Sequence, residues 1–357
     1  MDSIELLLKD LTETHGVPGY ETPIRAVVRK YLEPLGELSQ DKLGSVVCTQ
    51  KGRSARPRVM LAGHMDEIGF MVKQVTKEGF LRFLPLGGWF DQVLLGQRVL
   101  IKTSKGDVTG VIGAKPPHLL TAEERSKVVQ LKDMFIDIGA TSRAEAQESG
   151  VRIGDPIVPR ADFQVLAGGR TYLSKAFDDR IGLAMMITAL QAAKEHPHPN
   201  TLCGTATVME EVGLRGATTS VDAVQPDVAI VLEADIAGDI PSLSRLEEPT
   251  VRLGGGPSLV AYDARMIPNL KLRDLVLQVA QELSIPVQLS TIEGGATDGA
   301  PIHLYKTGVP TVVLCVPARH IHSHSSIVHR QDFDNAAKLL AGLLTRLDQK
   351  QVEALTV

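Results

Sequence analysis

The chain has 357 residues, 43% hydrophobic and 22% charged, a globular composition whose length predicts two domains or one domain with a large insertion. A formal net charge of -4 with scattered basic residues offers no general attraction to nucleic acid or anionic lipid, so neither is expected as a partner. Apolar runs such as Ile181 to Ala193 are too short to span a bilayer, and the acid-bearing N-terminus has no secretory pattern, which together predict a soluble cytoplasmic protein.

In chain order, Ile4, Leu7, Leu8 and Leu11 recur at helical spacing and predict a helix from Ile4 to Thr14, closed by the Gly16/Pro18/Gly19 break. Thr22-Pro23 opens a second helix toward Leu35, with proline where its missing N–H does no harm. The stretches Gly44 to Cys48 and Val59 to Gly63 predict buried strands, and the second delivers His64-Met65-Asp66-Glu67 at its end. From Ile68 to Val165 the texture changes to short alternating runs separated by glycine-containing turns: Phe70 to Val72, Phe80 to Phe83, Arg98 to Ile101 and Asp107 to Ile112. That spacing predicts a small all-β unit, sandwich or barrel. Lys115-Pro116-Pro117-His118 is a breaker, Leu119 to Lys132 predicts a mobile loop with some helix, and Phe135 to Ile138 with a helix at Arg143 to Ser149 completes the insert.

Helix and strand then alternate again. Asp178 or Asp179 is expected to cap a long helix running toward Lys194. Strands follow at Thr205 to Met209, ending in Glu210-Glu211, and at Val228 to Leu232, ending in Glu233-Ala234-Asp235. A helix from Leu270 to Leu283, a strand from Pro286 to Leu289, a glycine-rich loop from Gly294 to Gly299, a strand from Val309 to Val316 and a helix from Asp332 to Leu347 close the chain. The predicted fold class is α/β: a mostly parallel sheet with helices on both faces, formed by residues 1–67 and 166–357, with the β-rich unit 68–165 inserted. Cys48, Cys203 and Cys315 lie far apart in apolar contexts and predict buried reduced thiols rather than disulfides.

The chemistry-bearing residues share a placement. His64, the Glu210/Glu211 pair, Asp235 and the group His320, His322 and His324 each follow a predicted strand, while Asp178 and Asp179 open a helix. In an open parallel sheet these strand ends converge on one crevice. Taken singly each has a plainer reading: a hydrogen-bonded surface histidine, solvated loop acids, a turn acid, or an N-cap at Asp178 or Asp179. Together, two imidazoles and several carboxylates suit zinc or a similar divalent ion, and the surplus of carboxylates points to two ions sharing a ligand. The segment Gly294 to Gly299 lacks the Lys-Ser/Thr of a phosphate loop, no Gly-x-Ser-x-Gly elbow occurs, and no cysteine has a catalytic context.

The ordered set His64-x-Asp66-Glu67, Lys175 to Arg180, Glu210-Glu211-Val212-Gly213, Asp235, Gly295 to Asp298 and Arg319-His320-Ile321-His322-Ser323 resembles the dinuclear-zinc aminopeptidases that include glutamyl, deblocking and tetrahedral aminopeptidases. The resemblance covers essentially the whole chain. It implies a metallopeptidase core of the phosphorylase/hydrolase type, two divalent ions per subunit (zinc, with cobalt or manganese also acceptable), and removal of N-terminal residues from short peptides. Asp178 would bridge the ions, His64 and Asp235 would complete one site, and Glu211 and His322 the other. Glu210 would be the general base, and Asp66 would hold the His64 ring. The insert would be an oligomerisation domain, with dimers building a tetrahedral dodecamer. His320, His322, His324 and His329 crowd a region where one ligand is expected; the motif register selects His322, with His324 as the alternative. Two other readings remain: a glycoside hydrolase using a carboxylate pair, and a non-catalytic self-assembling protein on the same fold.

Overall fold

Four strands whose residues are almost entirely buried, Thr201–Thr207, Arg58–His64, Val228–Ile236 and Thr311–Arg319, lie side by side and parallel in the computed structural model. The model describes residues 1–166, 168–241 and 251–356. Strands hidden on both faces read as near-continuous apolar runs, which made three of these visible in place; the one expected at Thr205 to Met209 instead runs Thr201–Thr207. Antiparallel strands extend the sheet to 11: Val46–Lys51 and Glu37–Gln40 at one margin, Ser326–His329, Thr171–Ser174 and Gln164–Val165 at the other. Ser258–Asp263 pairs with Thr311–Arg319 and carries Gln288–Ile292.

Helices cover both faces. Ser3–Glu13, Thr22–Leu32, Phe177–Glu195, Leu270–Glu282 and Arg330–Leu344 bury one continuous cluster that includes Leu8, Ile24, Met186, Val276 and Leu340. Arg215–Val224 and Gly299–His303 cover the opposite face through Ala217, Val221 and Ile302. The insert is a closed barrel of the strands Gly69–Val75, Leu81–Leu86, Phe135–Asp137, Gly106–Gly113, Arg98–Thr103 and Pro156–Pro159, in that order around it. It has its own core of Phe70, Phe83, Ile101, Ile112 and Ile136.

The barrel strands end at Pro159, and Gln164–Val165 already pairs with Thr171–Ser174 in the large sheet. A two-residue strand carries no readable period, so the expected boundary at Val165 lay beyond the barrel's last strand. Between Leu119 and Lys132 the chain forms a helix at Ala122–Arg125, flanked by short 3₁₀ turns at Pro117–Leu119 and Leu131–Asp133. All three cysteines are buried and free. Among the described residues, no helix is long and apolar enough to cross a membrane.

Candidate metal centre

Register places the acids and imidazoles. Thr207 pairs with His64 in the parallel ladder, so the strands Thr201–Thr207 and Arg58–His64 end flush. The neighbouring ladder ends with Val231 paired to Ala62, and Glu233, two residues beyond that last pair, reaches within 3.9 Å of His64 Nε2. At the end of Thr201–Thr207 the chain bends through Met209, whose φ of 53 is left-handed, and presents Glu210 and Glu211. Ala176, Leu214, His320 and His322 are left-handed as well, so five non-glycine residues around the crevice hold this conformation. Such backbone persists where the surroundings fix it, and functional sites collect it.

Asp178 lies between two histidines. Its Oδ1 is 3.1 Å from His64 Nε2, and its Oδ2 is 3.1 Å from His322 Nε2. Glu211 Oε1 is 3.6 Å from His322 Nε2. Glu210 Oε2 and Glu233 Oε2 each lie 3.9 Å from His64 Nε2. Three overlapping groups have ligand atoms close enough to hold an ion: His64, Asp178 and Glu233; Asp178, Glu211 and His322; and His64, Glu210 and Glu211.

Asp235, expected in this set, is in none of these groups. It is buried, its Oδ2 accepts a 2.5 Å hydrogen bond from the Ser258 hydroxyl, and Glu233 occupies the place beside His64. The strand Val228–Ile236 continues past Leu232, so Glu233 and Asp235 point to the same face one pleat apart, about 6.6 Å along the strand. Register with the Arg58–His64 strand, which the sequence does not reveal, decides between them.

The expected contact of Asp66 with the His64 ring also differs. His64 Nδ1 lies 2.9 Å from the Asp66 backbone carbonyl, whereas the nearest Asp66 carboxylate oxygen is 3.6 Å away. The carbonyl therefore fixes the ring, with Nδ1 protonated and Nε2 facing the acids. The Asp66 carboxylate instead accepts the backbone N–H groups of Glu210 (3.0 Å) and Glu211 (3.1 Å), orienting the glutamate pair. Asp179 is the cap of the following helix: its Oδ1 accepts Gly182 N–H at 3.0 Å, and its Oδ2 accepts His64 N–H at 3.0 Å.

Behind this layer, Lys175 Nζ donates to both carboxylate oxygens of Glu67 at 2.7 Å, and both side chains are buried. Glu67 also accepts Gly16 N–H, while Arg180 donates to the carbonyls of Leu11 and Thr14. This ties the Lys175-to-Arg180 segment to the end of the first helix. The motif residues Glu67, Lys175 and Arg180 thus carry a structural duty that spacing alone did not assign. In the glycine-rich loop, Asp298 accepts the Thr207 hydroxyl at 2.5 Å, and its other oxygen is buried without a partner among the described residues.

The electrostatics ask for cations. Burial, helped by Asp178, pushes Glu211 up to about 8. Burial likewise drives Glu210 and Glu233 well above the carboxylate range, with the His64 charge opposing it. For Asp178, burial is outweighed by hydrogen bonds from His322 and His64, which hold it low. Burial alone would lower both imidazoles, but the neighbouring acids hold His64 well above its ordinary value and His322 at about 9. Glu211 Oε1 is buried with no hydrogen-bond partner among the described residues. A buried carboxylate oxygen without a donor is costly unless a cation completes it. The imidazole-carboxylate donor set and this orphaned oxygen fit divalent metal ions.

Of the histidines in the 320–329 segment, His322 faces Asp178. His324 is buried, its ring nitrogens have no partner among the described residues, and burial lowers it to about 4. His329 caps the last long helix through Nδ1.

A family model described as M42 glutamyl aminopeptidase matches residues 44–339. The lysyl aminopeptidase of Pyrococcus furiosus is 36% identical over 96% of this chain and 96% of its own. The glutamyl aminopeptidase of Lactococcus lactis is 34% identical over 97% of each. Among solved structures, a TET aminopeptidase from Thaumarchaeota archaeon SCGC AB-539-E09 superposes with a TM-score of 0.96 at 50% identity, covering 99% of this chain and 100% of that one. The Pyrococcus horikoshii TET1 peptidase, described as assembling into a tetrahedron or a large octahedral shell, gives 0.85 at 31% identity over 97% of this chain and 100% of that one.

Proposed function

From the premise that this chain belongs to the M42 glutamyl aminopeptidase family, and is therefore a metal-dependent hydrolase acting on peptide bonds, we propose that it removes N-terminal residues from short peptides with two divalent ions per subunit. The observation that carries the two-ion reading is Asp178, whose two oxygens face His64 and His322 at equal 3.1 Å distances between two ligand groups. His64, Asp178 and Glu233 would hold one ion; Asp178, Glu211 and His322 the other. Zinc suits the set, and cobalt or manganese are acceptable substitutes. When bound, the ions would polarise the scissile carbonyl and acidify the attacking water.

The chain's own residues do the rest. Glu210 takes the proton of the attacking water and delivers it to the leaving amine. Burial holds the Glu210 carboxyl above the carboxylate range in the metal-free site, and cations bound beside it would bring it back toward the ionised form that a general base needs. The Asp66 carboxylate holds the Glu210 and Glu211 backbone amides, so that adjacent side chains can serve different partners. Strand alternation would send them to opposite faces, and the left-handed turn at Met209 ends the strand first.

We place the protein in the cytoplasm, with the barrel serving homo-oligomeric assembly of dimers up to a tetrahedral dodecamer, as the assembly described for the Pyrococcus horikoshii relative suggests. The decisive experiment follows release of an aminoacyl chromophore before and after chelation, with Glu210→Gln alongside. Chelation should abolish turnover and zinc should restore it, while Glu210→Gln should keep both ions and lose roughly 10²–10⁴ in rate. Full activity in metal-free protein contradicts the reading.

A further inference from the structure

The inserted barrel reaches the metal centre through the connection that follows its strand Leu81–Leu86. At Gly87, whose φ is +91, an added Cβ would stand 2.5 Å from Ile68 Cγ2 and 3.0 Å from Glu211 Oε2. At Gly88 it would stand 3.2 Å from His322 Nδ1. Trp89 then packs across the junction. Its ring stacks on Phe70 of the barrel core at 4.7 Å and 19°, and its Nε1 donates to the Gly69 carbonyl at 3.0 Å. The same ring meets the His324 ring at 5.1 Å and 52°. His324 is 3% exposed and neither ring nitrogen has a partner among the described residues, so this imidazole serves as an aromatic surface.

The two ligand histidines differ in what holds them. The His64 side chain is 1% exposed at the end of a central strand. The His322 side chain is 40% exposed, on a turn where both His320 and His322 are left-handed. Such backbone persists only where the surroundings hold it. Two contacts do so here: Gly88 against the His322 ring, and Trp89 against His324 two residues on.

We propose that the Gly87–Trp89 loop is the support of the metal position formed by His322 and Glu211, with Trp89 a positioning residue acting through the His324 ring. The barrel is then part of the active site as well as of any assembly. This inference rests on the assignment of His322 and Glu211 as ligands. It predicts an asymmetry: disturbing the loop loosens one ion and leaves the ion at His64 and Glu233 in place.

The test is calorimetric titration of chelator-stripped full-length protein with zinc ions alone, with thermal melting and circular dichroism as controls on folding. Wild-type protein should show two sites. Trp89→Ala should weaken one of them roughly 10–100-fold, the usual cost of losing an outer support, and leave the other within about twofold. Trp89→Phe should restore the weakened site. His324→Phe should hold zinc as wild type does, because the ring nitrogens have no partners, and His324→Ala should behave as Trp89→Ala. If Trp89→Ala does not fold, Gly88→Ala decides, since it removes no core contact and presses only on the His322 ring; it should show the same selective loss. Unchanged affinities in Gly88→Ala and His324→Ala, or equal weakening of both sites, overturn the proposal. A wild-type protein that takes up only the His64-side ion overturns the ligand assignment itself.

Discussion

Glu233→Gln and Asp235→Asn perturb two acids two residues apart on one strand, and the structure gives them opposite fates. Asp235 holds the Ser258 hydroxyl at 2.5 Å and stands outside the ligand groups. Asparagine keeps an oxygen for that hydroxyl but turns its amide nitrogen toward the Ile236 N–H, which Asp235 Oδ1 accepts at 2.8 Å, a loss of about 1–3 kcal/mol. In a chain of 357 residues, at about 2.1 cal/mol/K of unfolding entropy per residue, that lowers Tm by roughly 1–4 °C. Metal content should stay at two ions per subunit. Glu233 lies 3.9 Å from His64 Nε2 within the His64–Asp178 group. Glutamine there should weaken one ion by more than the roughly 10–100-fold typical of an outer contact, and kcat/KM should fall at least as far. In metal-free protein the sign reverses. Burial and Asp179 push Glu233 upward, so the neutral side chain should leave Tm unchanged or raise it. Metal analysis after gel filtration, chromogenic peptidase rates and melting curves with and without chelator report all three quantities. If Asp235→Asn loses an ion while Glu233→Gln keeps two, the register argument is wrong.

Other outcomes follow from the same geometry. Glu211→Gln should loosen the His322-side ion, whereas Glu210→Gln should retain both, as metal analysis of the two purified variants would show. In metal-free protein, Glu211 titrates at about 8 against an ordinary 4.5. A raised acid gives stability that is full below pH 4.5 and lost as pH rises through 8, on the order of several kcal/mol; chemical denaturation across that window should show the decline, and Glu211→Gln should flatten it. Glu67→Gln leaves the buried Lys175 ammonium with a neutral partner and should cost roughly 3–5 kcal/mol in denaturant unfolding, with Glu67→Gln/Lys175→Met milder than the single change.

Legibility in the sequence followed physical range. Buried parallel strands such as Val228–Ile236 and Thr311–Arg319 announce themselves by apolar runs, and the alternating segments at Phe70, Arg98 and Asp107 announce a separate β unit. Four strand ends and one helix start then placed His64, the Glu210/Glu211 pair, Asp235, the His320, His322 and His324 group, and Asp178 with Asp179 near one crevice, and the family resemblance selected His322. What stayed hidden depends on distant partners. The choice of Glu233 over Asp235 rests on inter-strand register, and the turning of the Asp66 carboxylate toward Glu210 and Glu211 rests on a bend at Met209. The helix Arg215–Val224 was missed because Gly216 and three hydroxyl residues, Thr218, Thr219 and Ser220, mask a stripe made only of Ala217, Val221 and Val224. The docking of Gly88 and Trp89 on the histidine loop joins residues more than two hundred positions apart, and no local pattern encodes it.

The most direct measurement of the central claim is anomalous diffraction at the zinc edge from crystals of the zinc-loaded protein. The account predicts two peaks flanking Asp178, one contacting His64 and Glu233 and the other Glu211 and His322. A single peak, or a peak at Asp235 with Glu233 unliganded, would contradict it.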